Sequence, residues 1–218
     1  MSLFLPTYFS PISQYSAIVN SDDIVFEVED NFQKQTYRNR CYIYGANGKQ
    51  LLNIPVKHPK TAGRKKTKDT LVENVSPWQS QHLKSLQSAY RTSPFFEFYI
   101  DDLMPIFTKE YKFLVDVNID TFSILMDALQ LPLKYSKTTK YELLPKGIDF
   151  RNLAIDKKGI EVKTPKYIQM FDDKHGFLPN LSILDLLFME GPNTISFLEK
   201  IKLHLQITYS LSGTNEFS

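Results

Sequence analysis

The sequence predicts an α/β chain folded as a single domain: a central mixed, largely parallel sheet flanked by helices, with a basic hairpin loop attached. Three observations carry this. An apolar run at 1–5, helix-spaced residues at Ile12, Tyr15, Ile18 and Val19, and a second apolar run from Ile24 spell strand, helix, strand. Apolar faces at helical spacing then dominate the middle third. Finally, 218 residues with 42% hydrophobic and 13% aromatic content suit one packed core. The domain is expected over 1–210, with a polar tail at 211–218.

The elements follow in order. The first strand ends at Pro6, and Thr7 to Pro11 forms a turn. A helix over 12–19 closes at Asn20 to Asp23, and a strand runs from Ile24 towards Asn31. Strands over 41–44 and 51–56 flank Gly45-Ala46-Asn47-Gly48, a hairpin signal. Leu71 to Val75 reads as another short strand, and the basic stretch before it, with Pro59 and Gly63 inside, as a loop tip. Ser76-Pro77 opens a helix whose face is Trp78, His82, Leu86, Ala89 and Tyr90. Ser93 is the expected N-cap of the next helix, with Phe95, Phe98, Tyr99 and Leu103 on one side. A third helix spans 117–129, and 134–166 reads as strands and loops. Ser182 caps a helix that stops at Gly191, and Pro192 starts a last helix running to about Leu205.

Net charge is only +2, from 26 cations and 24 anions, so no global field favours nucleic acid or membrane. Lys57, Lys60, Arg64, Lys65, Lys66 and Lys68 concentrate six cations locally; the other 20 cations against 24 anions leave −4. That run carries no aromatic residue of the kind single-strand binders interleave, which argues against nucleic acid. It reads as a solvated tip or as an attractor of phosphorylated ligands. One cysteine, Cys41, excludes an internal disulfide; its alternating apolar surroundings suit a small buried hydrophobe. Four scattered histidines form no metal pair, and no phosphate-cradling glycine loop or GxSxG elbow occurs. No metal or cofactor is expected, and with no long apolar stretch a soluble cytoplasmic protein without membrane insertion is.

The segment Gln33-Lys34-Gln35-Thr36-Tyr37-Arg38-Asn39-Arg40 is the strongest candidate for binding. Two guanidinium forks and three carboxamides offer planar, directional donors for an anionic or carbonyl-rich small molecule. Ligands of α/β chains sit at loops off strand ends, which nominates 6–8, 29–40 and 180–185. His82 reads as a packing histidine or as an acid or base. Asp185 reads as a capping-box acid or as a catalyst.

Three blocks together resemble the WbqC-like family of bacterial proteins. They are Lys34 to Arg40 with Asn47-Gly48 and Ile54-Pro55-Val56; Trp78 to Tyr90 with Ser93-Pro94-Phe95-Phe96; and Asn180 to Phe188 with Gly191. Leu114, Asn118, Tyr167 and Gln169 extend the similarity over nearly the whole chain. The resemblance implies one α/β domain in surface-polysaccharide (O-antigen-type lipopolysaccharide) biosynthesis, where the family is thought to hold transferases acting on activated sugars. The implied activity is transfer of an acyl, aminoacyl or related group onto an amino sugar or sugar nucleotide. Arg38 and Arg40 would hold an anionic donor, Gln33, Lys34 and Asn39 would complete a polar floor, and Tyr8 and Tyr15 would line the pocket, with His82 or Asp185 as base. Many relatives open with His-Gln-Pro-Asn-Tyr, whereas the matching residues here are Phe4, Leu5, Pro6, Thr7 and Tyr8. Either that histidine is not the catalyst, or His82 replaces it, or this branch binds without catalysing. The alternative function is a non-catalytic module that recognises nucleic acid or a glycan-assembly partner through Lys57–Lys68.

Overall fold

A computed structural model describes residues 1–57, 65–155 and 164–201. The expected tail, the end of the last predicted helix, and Lys60 and Arg64 of the basic run lie outside the described residues.

Strand β1 (Ser2–Phe4), helix α1 (Ile12–Val19) and strand β2 (Ile24–Phe26) form the expected opening unit. Two further short strands, β5 (Ser136–Lys137) and β6 (Ile148–Asp149), complete a four-stranded sheet of order β5-β2-β1-β6. Every pairing in it is parallel. Register sets Leu3 beside Val25 and Phe4 beside Phe26, so alternation gives the two pairs opposite faces. On one face Phe26 meets Phe122 edge-on at 5.0 Å and Phe4 stacks on Phe150 at 4.9 Å. Strand β2 stops well short of the expected Asn31. The Glu27 carboxylate accepts the backbone N–H of Glu29 at 2.7 Å, and Val28 donates its N–H to the Thr138 hydroxyl, so the chain turns away.

Strands β3 (Arg40–Gly45) and β4 (Gly48–Asn53) make the predicted antiparallel hairpin, but as a separate two-stranded sheet. Gly48 turns the chain at φ +95°, a conformation that side chains resist. Cys41 is buried in it, and burial pushes the thiol pKa well up, so it behaves as a small hydrophobe.

Helix α2 (Trp78–Tyr90) buries the predicted face. Helix α3 (Phe96–Thr108) departs from expectation: Phe95 occupies the N-cap and no side chain caps the helix. Ser93 instead gives its N–H to the Tyr90 carbonyl, ending α2, while the Phe95 N–H is taken by the carbonyl of Phe188. The later start rotates the buried face to Phe96, Tyr99, Ile100, Leu103, Ile106 and Phe107, and Phe98 is 71% exposed. Helix α4 (Leu114–Ala128) begins three residues before the predicted start. The strand expected at 71–75 reduces to isolated bridges, Val72 to Val56 and Leu71 to Phe113, because adjacent residues pair with different neighbours. After the short α5 (Asp172–His175), helix α6 (Ile183–Glu190) starts as predicted, with the Ser182 hydroxyl accepting the Leu184 N–H. Helix α7 (Thr194–Lys200) packs on α1.

Candidate functional site

The three nominated loops bear on one another. The loop after β1 runs between the other two: Tyr8 gives its N–H to the Tyr37 carbonyl at 2.9 Å, and Ile183 gives its N–H to the Ser10 carbonyl at 2.9 Å. The Ser182 hydroxyl donates to the Phe9 carbonyl, and Asn118 of α4 donates to both the Pro6 and Arg38 carbonyls, at 3.0 and 2.9 Å. Each loop also holds one left-handed residue other than glycine: Phe9 at φ 38°, Gln35 at φ 62° and Asn180 at φ 53°. Asparagine tolerates this region; phenylalanine does not, and such strain clusters where surrounding contacts over-determine a functional loop.

Where the 34–40 loop meets the end of β4, an open groove of about 280 Å³ is lined by Lys34, Gln35, Asn39, Arg40, Asn53, Ile54, Pro55 and Val56. Its floor is a pair of carboxamides. Asn39 Nδ2 donates to Asn53 Oδ1 at 3.0 Å and to the Ile54 carbonyl at 3.1 Å, and the Ile54 N–H returns to the Asn39 carbonyl at 2.8 Å. Asn39 Oδ1 and Arg40 Nε are buried polar atoms without a partner, the kind of unmet capacity a ligand satisfies. Behind the floor, His82 hydrogen-bonds the Asn53 backbone and its Nδ1 lies 3.0 Å from the Tyr8 hydroxyl. Either ring tautomer keeps the Tyr8 hydroxyl and Nδ1 bonded, since the hydroxyl can donate or accept. Burial lowers the His82 pKa to about 4, with the Asn53 bond opposing, so the ring is neutral at pH 7. Burial likewise pushes the Tyr8 phenol far up.

Arg38 does not reach this groove. It is 2% exposed, ion-pairs with Asp30 and donates to the Thr36 hydroxyl. Thr67 donates to the other oxygen of Asp30 at 2.5 Å, and the neighbouring Glu29 takes Lys66 at 2.5 Å and Lys68 at 2.6 Å. Those lysines hold the Glu29 carboxyl below its usual range. So Lys66 and Lys68, at the end of the basic run, hold to the carboxylate after β2, while the expected tip lies outside the described residues.

Asp185 lies in a different place. Its side chain serves no capping box; it is fully enclosed and accepts from the Tyr90 hydroxyl at 2.6 Å, from the Tyr167 hydroxyl and from Gln169 at 3.0 Å. Burial raises its pKa against the pull of these donors. Tyr90 stands eight residues beyond His82 on α2, about 12 Å along a helix, and Asp185 is bonded beyond it. His82 and Asp185 therefore belong to separate networks. Tyr15 is 1% exposed within the core, and Gln33 lies on the outer surface. Lys34, Asn39 and Arg40 share the groove, with Tyr8 and His82 behind it. Asn53 and Asn118, which join the loops, were not singled out for binding; an asparagine at a strand end is the only local signal for Asn53.

No group of three or more His, Cys, Asp and Glu is placed to hold a metal among the described residues, and no described helix is long and apolar enough to cross a membrane.

The fold and these loops define a class: an α/β protein with a parallel sheet whose polar loops gather beyond the first strands. The family model of the WbqC-like protein family matches residues 6–158 and 143–197, and the chain belongs to that family. The chain is also similar to the uncharacterized protein Rv1507c of Mycobacterium tuberculosis, 25% identical over 211 residues, covering 84% of this chain and 90% of that protein. No solved structure matches.

Proposed function

We propose that the protein is a transferase that moves an acyl, aminoacyl or related group onto an amino sugar or sugar nucleotide in bacterial surface-polysaccharide biosynthesis, with its ligand in the groove of Lys34, Asn39 and Arg40. The observation that carries this reading is the pair of buried, unpartnered atoms on that groove, Asn39 Oδ1 and Arg40 Nε, backed by the Asn53–His82–Tyr8 chain. Membership of the WbqC-like family supports this reading through the setting that the resemblance implies. Lys34 and Arg40 offer charge and a planar fork to an anionic donor, and Asn39 and Asn53 offer amide edges to hydroxyl or amide groups. Amine attack on an acyl thioester forms the amide C–N bond and breaks the C–S bond, and the amine's proton leaves with the released thiol. In this reading Tyr8 and the neutral His82, both buried behind the floor, brace Asn53 beneath the ligand. Arg38 sets the loop from beneath, and Asp185 fixes Tyr90 and Tyr167.

A thermal-shift screen tests the proposal, with UDP- and dTDP-amino sugars and acyl-coenzyme A on wild type and Arg40→Ala. Ligand at about a hundred times its dissociation constant adds roughly 2.7 kcal/mol. The expected result is a rise in melting temperature with one of these, lost in Arg40→Ala. A rise that persists undiminished in the variant would place the ligand elsewhere, and no rise with any of them would remove the support for this substrate class.

A further inference from the structure

The other face of the sheet carries a second polar anomaly, independent of the groove. A cleft of about 240 Å³ lies over Leu3 and Val25 and is rimmed by Glu27, Lys137, Thr138, Thr139, Lys140, Glu142 and Pro145. Glu27 is 1% exposed. Its Oε1 is committed to the Glu29 N–H at 2.7 Å and the Thr138 hydroxyl at 2.8 Å, but its buried Oε2 has no partner. A carboxylate oxygen left so far from water without a donor is costly, and the positive charges of Arg38 and Arg151 within electrostatic reach offset its charge without supplying that bond.

Position adds a second argument. Glu27 is the first residue beyond the carboxyl end of β2, in a sheet ordered β5-β2-β1-β6. That order matches one half of a doubly wound dinucleotide fold, in which an acid at this place receives a sugar hydroxyl. The phosphate site of such folds is closed here. At the start of α1, Ile12 gives its N–H to the Leu181 carbonyl and Ser13 to Asn180 Oδ1, so the chain itself occupies those donors. What remains is a hydrogen acceptor beside an apolar floor. The volume falls below the roughly 300–1,000 Å³ of drug-sized sites, which suits one ring.

We propose that this cleft binds a single hydroxylated ring, a pentose or hexose unit, whose carbon face lies on Leu3 and Val25 while a ring O–H or N–H donates to Glu27 Oε2. Lys140 is already paired with Glu142 at 2.9 Å, and exposed Thr139 forms the open lip.

Saturation-transfer NMR with glucosamine, glucose and ribose tests this on wild type, Glu27→Gln, Thr139→Trp and Arg40→Ala, each checked for its fold by thermal melting. Replacing Oε2 by an amide that cannot accept, or blocking the lip, is expected to weaken binding about tenfold or more. Arg40→Ala, on the other site, removes only what the groove contributes with an amino sugar, so transfer to ribose is expected to survive it. Transfer to glucosamine alone would identify an ammonium donor; transfer to glucose or ribose as well would identify a hydroxyl. Thr139→Trp alters only an exposed side chain, so it remains informative if Glu27→Gln fails to fold. The proposal is overturned if no sugar receives transfer in wild type, if the folded cleft variants bind as wild type does, or if Arg40→Ala alone abolishes binding.

Discussion

His82 makes a quantitative test of how deeply the histidine behind the groove is embedded. Its pKa of about 4 in the folded chain lies below the roughly 6.5 of an unfolded imidazole, so the unfolded chain takes up the proton first. Stability from the buried neutral ring is thus fully present above about pH 6.5 and is lost as pH falls towards 4. The slope approaches about 1.36 kcal/mol per pH unit, and integration gives a loss of about 2 kcal/mol at pH 5 and about 3 kcal/mol at pH 4. Urea unfolding of wild type and His82→Gln at pH 7, 6 and 5 isolates this term, since the other titrating groups are common to both. The stability advantage of wild type over the variant is expected to shrink by about 2 kcal/mol between pH 7 and pH 5. Parallel stability curves, or an imidazole resonance of the folded protein titrating above pH 6, would refute the placement of His82 among Tyr8, Trp78 and Asn53.

Three further outcomes follow from other buried networks. Asp185→Ala strands the Tyr90 and Tyr167 hydroxyls and should cost about 3–5 kcal/mol in denaturant unfolding, while Tyr90→Phe should cost about 1–3. Arg38→Met leaves Asp30 buried with Thr67 as its one side-chain partner among the described residues and should destabilise by about 3–5 kcal/mol, whereas Arg40→Ala, half-buried on the groove, should stay within about 1 kcal/mol of wild type while losing ligand response. Gly191→Ala sets a Cβ 2.6 Å from the Phe95 ring at φ +52° and should lower stability by about 2 kcal/mol or more, measured as a fall in melting temperature.

What could be read from the chain alone is what local periodicity determines. Helix α1 keeps its predicted bounds and α2 its predicted face, because spacing along one helix needs no partner to be recognised. The start of α3 depends on the carbonyl of Phe188, ninety-three residues from Phe95, and no pattern around Ser93 encodes that. The polar segment 33–40 is conspicuous as a segment, yet its division of labour is not. Gln35 takes a left-handed turn, after which Thr36, Tyr37, Arg38 and Asn39 are all buried, while 33–35 remain exposed. Inward and outward residues therefore do not alternate, and the more basic reading of Arg38 as a ligand contact gives way to an ion pair with Asp30. Asp185 shows the same limit: its three donors come from residues 90, 167 and 169, so spacing from Ser182 points to a cap that the side chain does not make.

The family resemblance sets Phe4 against a histidine, and the surroundings of this position in the chain are apolar. Phe4 is fully buried, stacks on Phe150 and faces the same side of the sheet as Phe26. An imidazole there would lie against aromatic rings, with its basicity depressed by burial. Phenylalanine supplies an aromatic stack and no titratable group there, which leaves Tyr8 and His82 as the paired polar side chains behind the groove. Their pairing then makes a distinct demand on substrate. Tyr8 is fully buried and does not line the groove, so an amine seated on Lys34, Asn39 and Arg40 reaches this pair only if the Asn39–Asn53 floor moves aside. Burial also holds the ring neutral far below pH 7, which disfavours uptake of a proton by His82 and suits a bracing role beneath Asn53.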